Sequence, residues 1–555
     1  MYDCIIIGGG HNGLVTAGYL ARAAWKVVVL ERRPIVGGAC VTEEPWPGFK
    51  VSTASYVVSL LLPEIVKDLR LAEFGYRVLP RNPSSFTPLD DGRYLLLGPD
   101  QELNCREISK FSARDAESFP QYEALLERIA ECLEPILMST PPDLLPLPAT
   151  WRRIGLGKRF RDARQGLSLW SALRKLGADL PEAIEILTGA ARPILDRWFE
   201  SDVLKATLAT DAVIGTFQPI SAPGTAYVLL HHVMGMAGGA RGVWGYVQGG
   251  MGSLTQAMAR SAEEFGVEIR CDSPVERILV ENGRVAGVRL ASGEELRSWT
   301  VASSADAHVT FERLVAPQHL PDDFRAAVAR IDYSSASAKI NLAVSELPDF
   351  TCCPGNREPG PQHRGTIHIG CSLDYLERAY DDAKYGRPSQ RPIVEMTIPT
   401  SVDSTLAPPG QHILSLFVQY APYRLARSAD PSPPAPLPQG ERGEVSWDDP
   451  GVKDAFADQC IAEISRYAPN VPGSILHRQV LSPLDLERTF SLTGGNIFQG
   501  AMPLHQLFNL RPVAGWSDYR TPIAGLYLCG SAAHPGGGVM GACGRNAVVE
   551  ILRDA

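Results

Sequence analysis

The chain opens on apolar blocks of two kinds. Cys4-Ile5-Ile6-Ile7 has the length and β-branched character of a strand buried on both faces. Beyond Gly8-Gly9-Gly10-His11-Asn12-Gly13, the apolar positions fall at Leu14, Ala17, Leu20 and Ala21, which is the spacing of one helix face. Val27-Val28-Val29-Leu30 is a second buried-type run, closed by Glu31. The pattern predicts a strand, a tight turn, a helix and a second strand.

Residues 47–51 read as a short strand, and Pro63 is placed to start a helix. Short strands with turn signals such as Asp90-Asp91-Gly92 fill residues 76–100. The period then turns helical, with Phe119, Tyr122, Leu125, Leu126, Ile129 and Leu133 in phase, and helical patterns dominate as far as Leu208. This stretch reads as a cap or substrate domain inserted into a cofactor domain. Gly249-Gly250-Met251-Gly252 opens another helix, followed by a strand at 267–270 and a meander. Asn282-Gly283 suits the type I′ turn of its hairpin. Residues 336–344, 392–399 and 412–418 alternate apolar and polar, which predicts half-buried strands of a second sheet. Near the end, Leu526-Tyr527-Leu528-Cys529 is a buried-type strand, residues 530–541 a glycine-dense turn, and a helix runs to Leu552. Residues 428–444 are proline-rich and cannot build a core, so they read as a disordered surface loop rather than a docking site.

Composition narrows the function classes. The chain has 555 residues, of which 45% are hydrophobic and 21% charged, an ordinary globular balance with room for two domains or more. A net charge of −9 argues against nucleic acid or an anionic membrane surface as partner. The longest uncharged stretch, 212–240, contains Pro219, Pro223, His231 and His232 and makes a poor membrane span. No transmembrane segment is expected; peripheral membrane contact and the oligomeric state stay open. Eleven cysteines show no C-x-x-C, which points to a reducing compartment, taken as the cytoplasm. The first strand begins by residue 3, leaving no room before it for a targeting peptide.

The chemistry starts in the opening unit. Gly8 permits the turn, Gly10 lets a pyrophosphate approach the backbone, and Gly13 lets helix and strand pack closely. The helix N-terminus attracts a diphosphate, and Glu31 offers acceptors to ribose hydroxyls. Together these predict dinucleotide binding. The continuation Arg32-Arg33-Pro34-Ile35-Val36-Gly37-Gly38 resembles the extended fingerprint of FAD enzymes of the glutathione-reductase-like superfamily, whose Gly-Gly turn comes back towards the pyrophosphate. Ala24 stands where that fingerprint usually has glycine, a departure expected to be easily accommodated. The C-terminal strand, turn and helix repeat the logic, and such a loop can bring N–H groups to a phosphate or a flavin ring.

His534-Pro535-Gly536-Gly537-Gly538-Val539 resembles the carotenoid (phytoene) desaturase-like flavoproteins. Longer stretches, among them Tyr227-Val-Leu-Leu-His-His-Val-Met-Gly and Trp244-Gly-Tyr-Val-Gln-Gly-Gly-Met-Gly, resemble the pyridine nucleotide-disulfide oxidoreductase domain-containing protein 2 family within that group. The resemblance covers nearly the whole chain apart from the proline-rich loop. The expected fold is α/β: a discontinuous glutathione-reductase-like, Rossmann-type FAD-binding domain (1–75, 240–332 and 500–555) with an inserted mixed α+β substrate domain (76–239 and 333–499). The expected cofactor site comprises Gly8, Gly10, His11, Asn12, Gly13, Glu31, Arg32, Gly37, Gly38 and Ala39. To these it adds Val275, whose backbone the resemblance sets against adenine, and Gly530, Ser531, Gly538, Val539 and Met540. Gln499 stands where the family pattern has histidine and weakens any carried-over catalytic histidine.

A disulfide reductase reading fails, because Cys40 has no second cysteine a few residues away and Cys352-Cys353 reads as incidental. No second convincing G-x-G-x-x-G offers a nicotinamide site. Flavin is therefore expected to take hydride directly from a small organic molecule and pass electrons to oxygen, a quinone or another acceptor. The uncharged 212–240 stretch, with Phe217 and Tyr227, is a candidate pocket wall, with ordinary core packing the alternative. Lys339 is a candidate for the water-organising lysine of related amine oxidases, with a solvent-facing strand lysine the favoured alternative. His231, His232 and His534 are weighed as acid/base groups against plain structural roles. No catalytic residue and no metal cluster is assigned. Two readings stay open: an FAD-dependent oxidoreductase dehydrogenating or desaturating a mostly apolar or amine-bearing small molecule, and a flavoprotein with mainly a binding or regulatory role.

Overall fold

A parallel sheet gathered from distant parts of the chain carries the two glycine turns. The computed structural model describes residues 1–143, 156–237, 240–370, 372–426 and 445–555. The five strands stand in the order 268–270, 27–30, 4–7, 301–303, 526–528, all parallel. Cys4–Ile7 and Val27–Leu30 are buried along their whole length, as continuous apolar runs require. The opening helix, His11–Arg22, packs against both Gly252–Glu264 and the final helix, Ala542–Asp554. The approach to the final helix is close: a Cβ on Gly544 would lie 2.4 Å from the Asn12 carbonyl. Ala24 ends the helical turn at φ 65°, so the missing glycine is accommodated in a left-handed conformation costing roughly 1–2 kcal/mol. The meander comprises Val275–Glu281, Arg284–Leu290 and Glu295–Arg297, with Asn282 and Gly283 at φ 51° and 75°, the signs a type I′ turn needs.

The second sheet has seven strands in the order 475–481, 337–344, 412–419, 393–397, 366–369, 85–88, 94–97. Ser337–Val344 and Ile393–Thr397 are buried throughout, and His412–Gln419 all but its first residue, so the half-buried expectation is corrected. The alternation is real but both faces are covered. Ala338, Ile340, Leu342 and Val344 join a core with Phe456, Cys460 and Ile464 of the helix Val452–Ser465. Ser337, Lys339 and Asn341 take the opposite face, and all three are buried. Part of that side is roofed by helices including Ala113–Leu137, Ala191–Trp198 and Thr225–Val233, which share one core. The longest starts where Ser112 accepts the Asp115 N–H at 3.0 Å, an N-cap.

Every strand of the parallel sheet falls within 1–75, 240–332 or 500–555, and every strand of the second sheet within 76–239 or 333–499. The proline-rich 428–444 lies outside the described residues. Among the described residues, no helix is long and apolar enough to cross a membrane.

Candidate functional site

The first glycine turn has three distinct geometries. Gly8 sits at φ +93°. A Cβ on Gly13 would lie 2.1 Å from the Gly8 carbonyl, so strand and helix meet only because the methyl is missing. Gly10 differs: its φ is −70° and ψ 170°, open to any residue, and a Cβ there would meet nothing within 4 Å. The cradle beside Gly10 therefore has room for a ligand group, at a helix start with no side-chain cap.

Glu31 reaches back to this turn. Its Oε2 accepts the Gly9 N–H at 2.8 Å and its Oε1 the Arg33 N–H at 2.9 Å. The Gly-Gly pair also returns: Gly37 N donates to the Gly9 carbonyl at 2.9 Å, and a Cβ on Gly38 would be 3.4 Å from Gly10 Cα. Ala39 follows in the same loop, its carbonyl accepting the Ser55 N–H at 3.0 Å. Val275 starts its strand just after Ser273, whose N–H donates to the Glu31 carbonyl at 2.8 Å. Arg32 turns away, its guanidinium donating to the carbonyls of Arg488, at 3.0 Å, and Thr489. Its side chain is thus committed elsewhere, and only its backbone adjoins the loop.

The C-terminal turn meets the first one. Asn12 Nδ2 donates to Ser531 Oγ at 3.2 Å, and Leu62 N to the Met540 carbonyl at 3.3 Å. A Cβ on Gly530 would strike the Ser304 carbonyl at 2.3 Å, and Gly538, at φ +117°, leads into Val539 and Met540. Two residues given no such role at the sequence level hold this loop. Gln499 donates to the Ser304 carbonyl and accepts the Ala532 N–H, both at 3.1 Å, so it clamps the loop. Arg511, fully buried, donates to the carbonyls of Ser531, Phe498, Gly500 and Ala501. A lone arginine in a loop carries no sequence signal of such a role.

The residues present fit a dinucleotide. Besides the cradle, His11 Nε2 and Asn12 Oδ1 are buried at the turn with no hydrogen-bond partner. His11, Ala39, Ser531, Gly538 and Val539 all line one cleft. Its other walls come from the second sheet and the helical layer.

One transverse row of that sheet forms part of the wall. Lys339 pairs with Phe417, Phe417 with Glu395, and Glu395 with His368, so four side chains on adjacent strands face the cleft together. Lys339 is 2% exposed, which corrects the solvent-facing alternative. Its Nζ donates to Asn341 Oδ1 at 2.9 Å and to Ser415 Oγ, and lies 4.8 Å from the Tyr56 ring centre. Burial pushes the Lys339 ammonium well below the usual lysine range.

The histidines are neutral and structural. His231 Nε2 faces the Gly537 carbonyl at 3.1 Å, His232 Nδ1 the Val228 carbonyl at 2.8 Å, and His534 Nε2 the Ile136 carbonyl at 3.1 Å. Burial lowers His231 to about 3 and His232, His534 and His11 to about 4. Carboxyls shift the other way: burial and nearby Asp211 raise Glu395 to about 8, and burial raises Asp211 to about 7. Arg81, Asp211, His368 and Glu395 had no sequence signal, since they come from four separate segments.

Of the uncharged stretch, Ile214, His231 and His232 reach the cleft, whereas Phe217 and Tyr227 do not line it; Phe217 packs edge-on to Tyr380 at 5.8 Å. The described cysteines are all free, and burial pushes the Cys40 thiol up to about 12. Among the described residues, no cluster suited to a metal ion is found.

Residues 13–362 match the family described as flavin containing amine oxidoreductase. The chain is 47% identical over 564 residues to the rat pyridine nucleotide-disulfide oxidoreductase domain-containing protein 2, covering 100% of this chain and 94% of the relative. It is 25% identical to the lycopene-forming phytoene desaturase of Pseudescherichia vulneris, covering 98% of this chain and 96% of that one. The fold matches that of wild-type putrescine oxidase bound to putrescine, with a TM-score of 0.58 at 14% identity over 100% of this chain and 99% of the other.

Proposed function

The chain belongs to the flavin-containing amine oxidoreductases, within the family of the rat relative, and from that premise we propose how this FAD-dependent oxidoreductase works and on what. Its substrate is a mostly apolar or amine-bearing small molecule, dehydrogenated or desaturated in the cleft. When bound, FAD supplies a two-electron acceptor for the hydride. One observation carries the reading: a single, largely apolar cleft is walled at one end by residues of both glycine loops. We assign FAD to residues 1–75, 240–332 and 500–555, and the substrate to 76–239 and 333–499.

The roles of the chain's own residues follow from their chemistry. Gly10 leaves room for the pyrophosphate, the helix start at His11 offers N–H groups to it, and Glu31 accepts from ribose hydroxyls while stiffening the turn. The backbone of Val275 borders the adenine. Ser531, Gly538, Val539 and Met540 border the other end of the cofactor, clamped by Arg511 and Gln499. Phe417, Tyr56 and Ile214 exclude water from the reacting C–H bond. Lys339, whose charged form burial disfavours, is the candidate to hold a water or take a proton beside that bond. Free thiols throughout the described chain suit a reducing compartment such as the cytoplasm.

The test is anaerobic mixing of the flavin-loaded protein with a panel of apolar hydrocarbons and amines. Bleaching of the flavin absorbance by at least one compound supports the reading. A flavin that stays oxidised across the panel, with a protein partner recovered instead, favours a binding or regulatory flavoprotein.

A further inference from the structure

The proposed cleft does not end in apolar wall. At the side formed by Thr366, His368 and Glu395 it meets a second cavity, and Arg81, Asp211, Trp244, Thr366 and His368 line both. The second cavity runs past Glu123 and Glu127 to the exposed Gln101. The shared residues thus form a doorway between a polar antechamber and the flavin-side cleft.

The doorway is built around a carboxylate with one unpartnered oxygen. Glu395 is 4% exposed and lines the cleft, yet its Oε1 has no hydrogen-bond partner. His368 Nδ1 lies 3.8 Å away and faces Thr210 Oγ1 at 3.1 Å, while Thr210 also hydrogen-bonds to the Glu395 carboxyl. Arg81 is spent on neutral partners: Nε donates to the Trp244 carbonyl and Nη1 to Thr366 Oγ1, both at 2.8 Å. Its guanidinium also lies over the Tyr246 ring.

Charge counting gives the ligand. The titratable groups facing Glu395 and Asp211 are Arg81, His368, His232, Tyr56 and Tyr122, with Tyr246 against Arg81 and Lys339 two strands away. The two histidines are neutral, burial holds Lys339 towards its neutral form, and the phenols do not ionise in the working range. Two carboxyls therefore share one permanent cation, and the free protein balances the excess by keeping a proton. A guest bringing its own positive charge removes that need.

Resting on the reading of the cleft above, we propose that the Asp211–Glu395 doorway anchors the ammonium head of an amphiphilic substrate, whose apolar body extends into the cleft. The head is an anchor and not the reacting group. Glu395 and Lys339 are separated by two strand spacings, about 10 Å, across Phe417. The Trp244 and Tyr56 rings add aromatic faces suited to a cation. Glu123 and Glu127 in the antechamber favour entry of a cation, with Arg241 there paired to Glu134 at 2.6 Å and to Glu127 at 3.9 Å.

The test uses the flavin-loaded protein with n-octylamine and 1-octanol as probes, followed by calorimetry in buffers of different ionisation enthalpy. Octylamine is expected to bind with release of up to one proton. Its affinity should rise about 50-fold from about pH 6 to about pH 8, as a carboxyl titrating near 8 gives up its proton. Octanol affinity should stay flat. Glu395→Gln should weaken octylamine at least about tenfold at about pH 8 and leave octanol unchanged, with Asp211→Asn acting in the same direction. Equal binding of the two probes at about pH 8, or octylamine affinity independent of pH, overturns the proposal even if neither variant folds. Unaltered octylamine binding in a folded Glu395→Gln protein overturns it as well. Flavin bleached by a neutral hydrocarbon in a protein that ignores octylamine would sink the anchor while keeping the oxidoreductase reading; no bleaching by any compound would sink that reading instead.

Discussion

Gly10→Ala separates a glycine kept for a ligand from a glycine kept for the fold. The new methyl would meet no protein atom within 4 Å, and the backbone at φ −70° already suits alanine. The cofactor-free protein should therefore be as stable as wild type, or gain about 0.4–1 kcal/mol from the reduced freedom of its unfolded chain. The same methyl occupies the space assigned to the pyrophosphate. Pushing that group back from the helix start should cost FAD affinity about 10–100-fold, or about 1.4–2.8 kcal/mol. Gly13→Ala is the control: its methyl lands 2.1 Å from the Gly8 carbonyl, so overpacking should cost roughly 1–3 kcal/mol or more with or without FAD. The assay is thermal unfolding of cofactor-free and FAD-loaded protein, with flavin content after gel filtration. Wild type should melt higher when loaded, and Gly10→Ala should lose most of that difference while its cofactor-free melting point holds. Retention of FAD by Gly10→Ala at wild-type affinity would refute the placement of the pyrophosphate.

Glu31→Gln should lower FAD affinity about tenfold with a small change in melting point, because an amide oxygen can still accept the Gly9 N–H; Glu31→Ala should also cost about 1–3 kcal/mol of stability by leaving that donor buried and unpaired. Flavin titration beside thermal melts distinguishes the two. Asp211 and Glu395 bind protons more tightly in the fold than in the unfolded chain, so their contribution to stability is full below about pH 4 and is lost as pH rises through about 7 and 8. The melting point should fall across that window, and Glu395→Gln should flatten the profile; a profile that rises there would contradict the burial of these groups. Lys339→Met should keep its flavin yet slow substrate bleaching about 100-fold, measured by anaerobic stopped flow. An unaltered bleaching rate would remove Lys339 from the chemistry.

The parts of this protein that the sequence alone determined are those whose physics is local. Residues 4–38 hold a strand, turn, helix and strand whose glycines and acid each act on neighbours a few tens of residues away, so Gly8, Gly10, Gly13 and Glu31 could be given roles by spacing. The Asn282-Gly283 hairpin was legible for the same reason. Tertiary structure decided what encloses what. Polar side chains alternate along residues 337–344 whether the far face meets water or a closed cleft, so the period could not tell that Lys339 is buried. Only the packing of the second sheet lines up Lys339, Phe417, Glu395 and His368, and only the fold brings Arg81 and Asp211 beside them. Gln499 acts through the distant Ser304 carbonyl and Arg511 gathers several backbone carbonyls at once, a bonding pattern that residue type does not encode. The two glycine turns could each be read separately; that Asn12 reaches Ser531 is settled by helix packing across the parallel sheet.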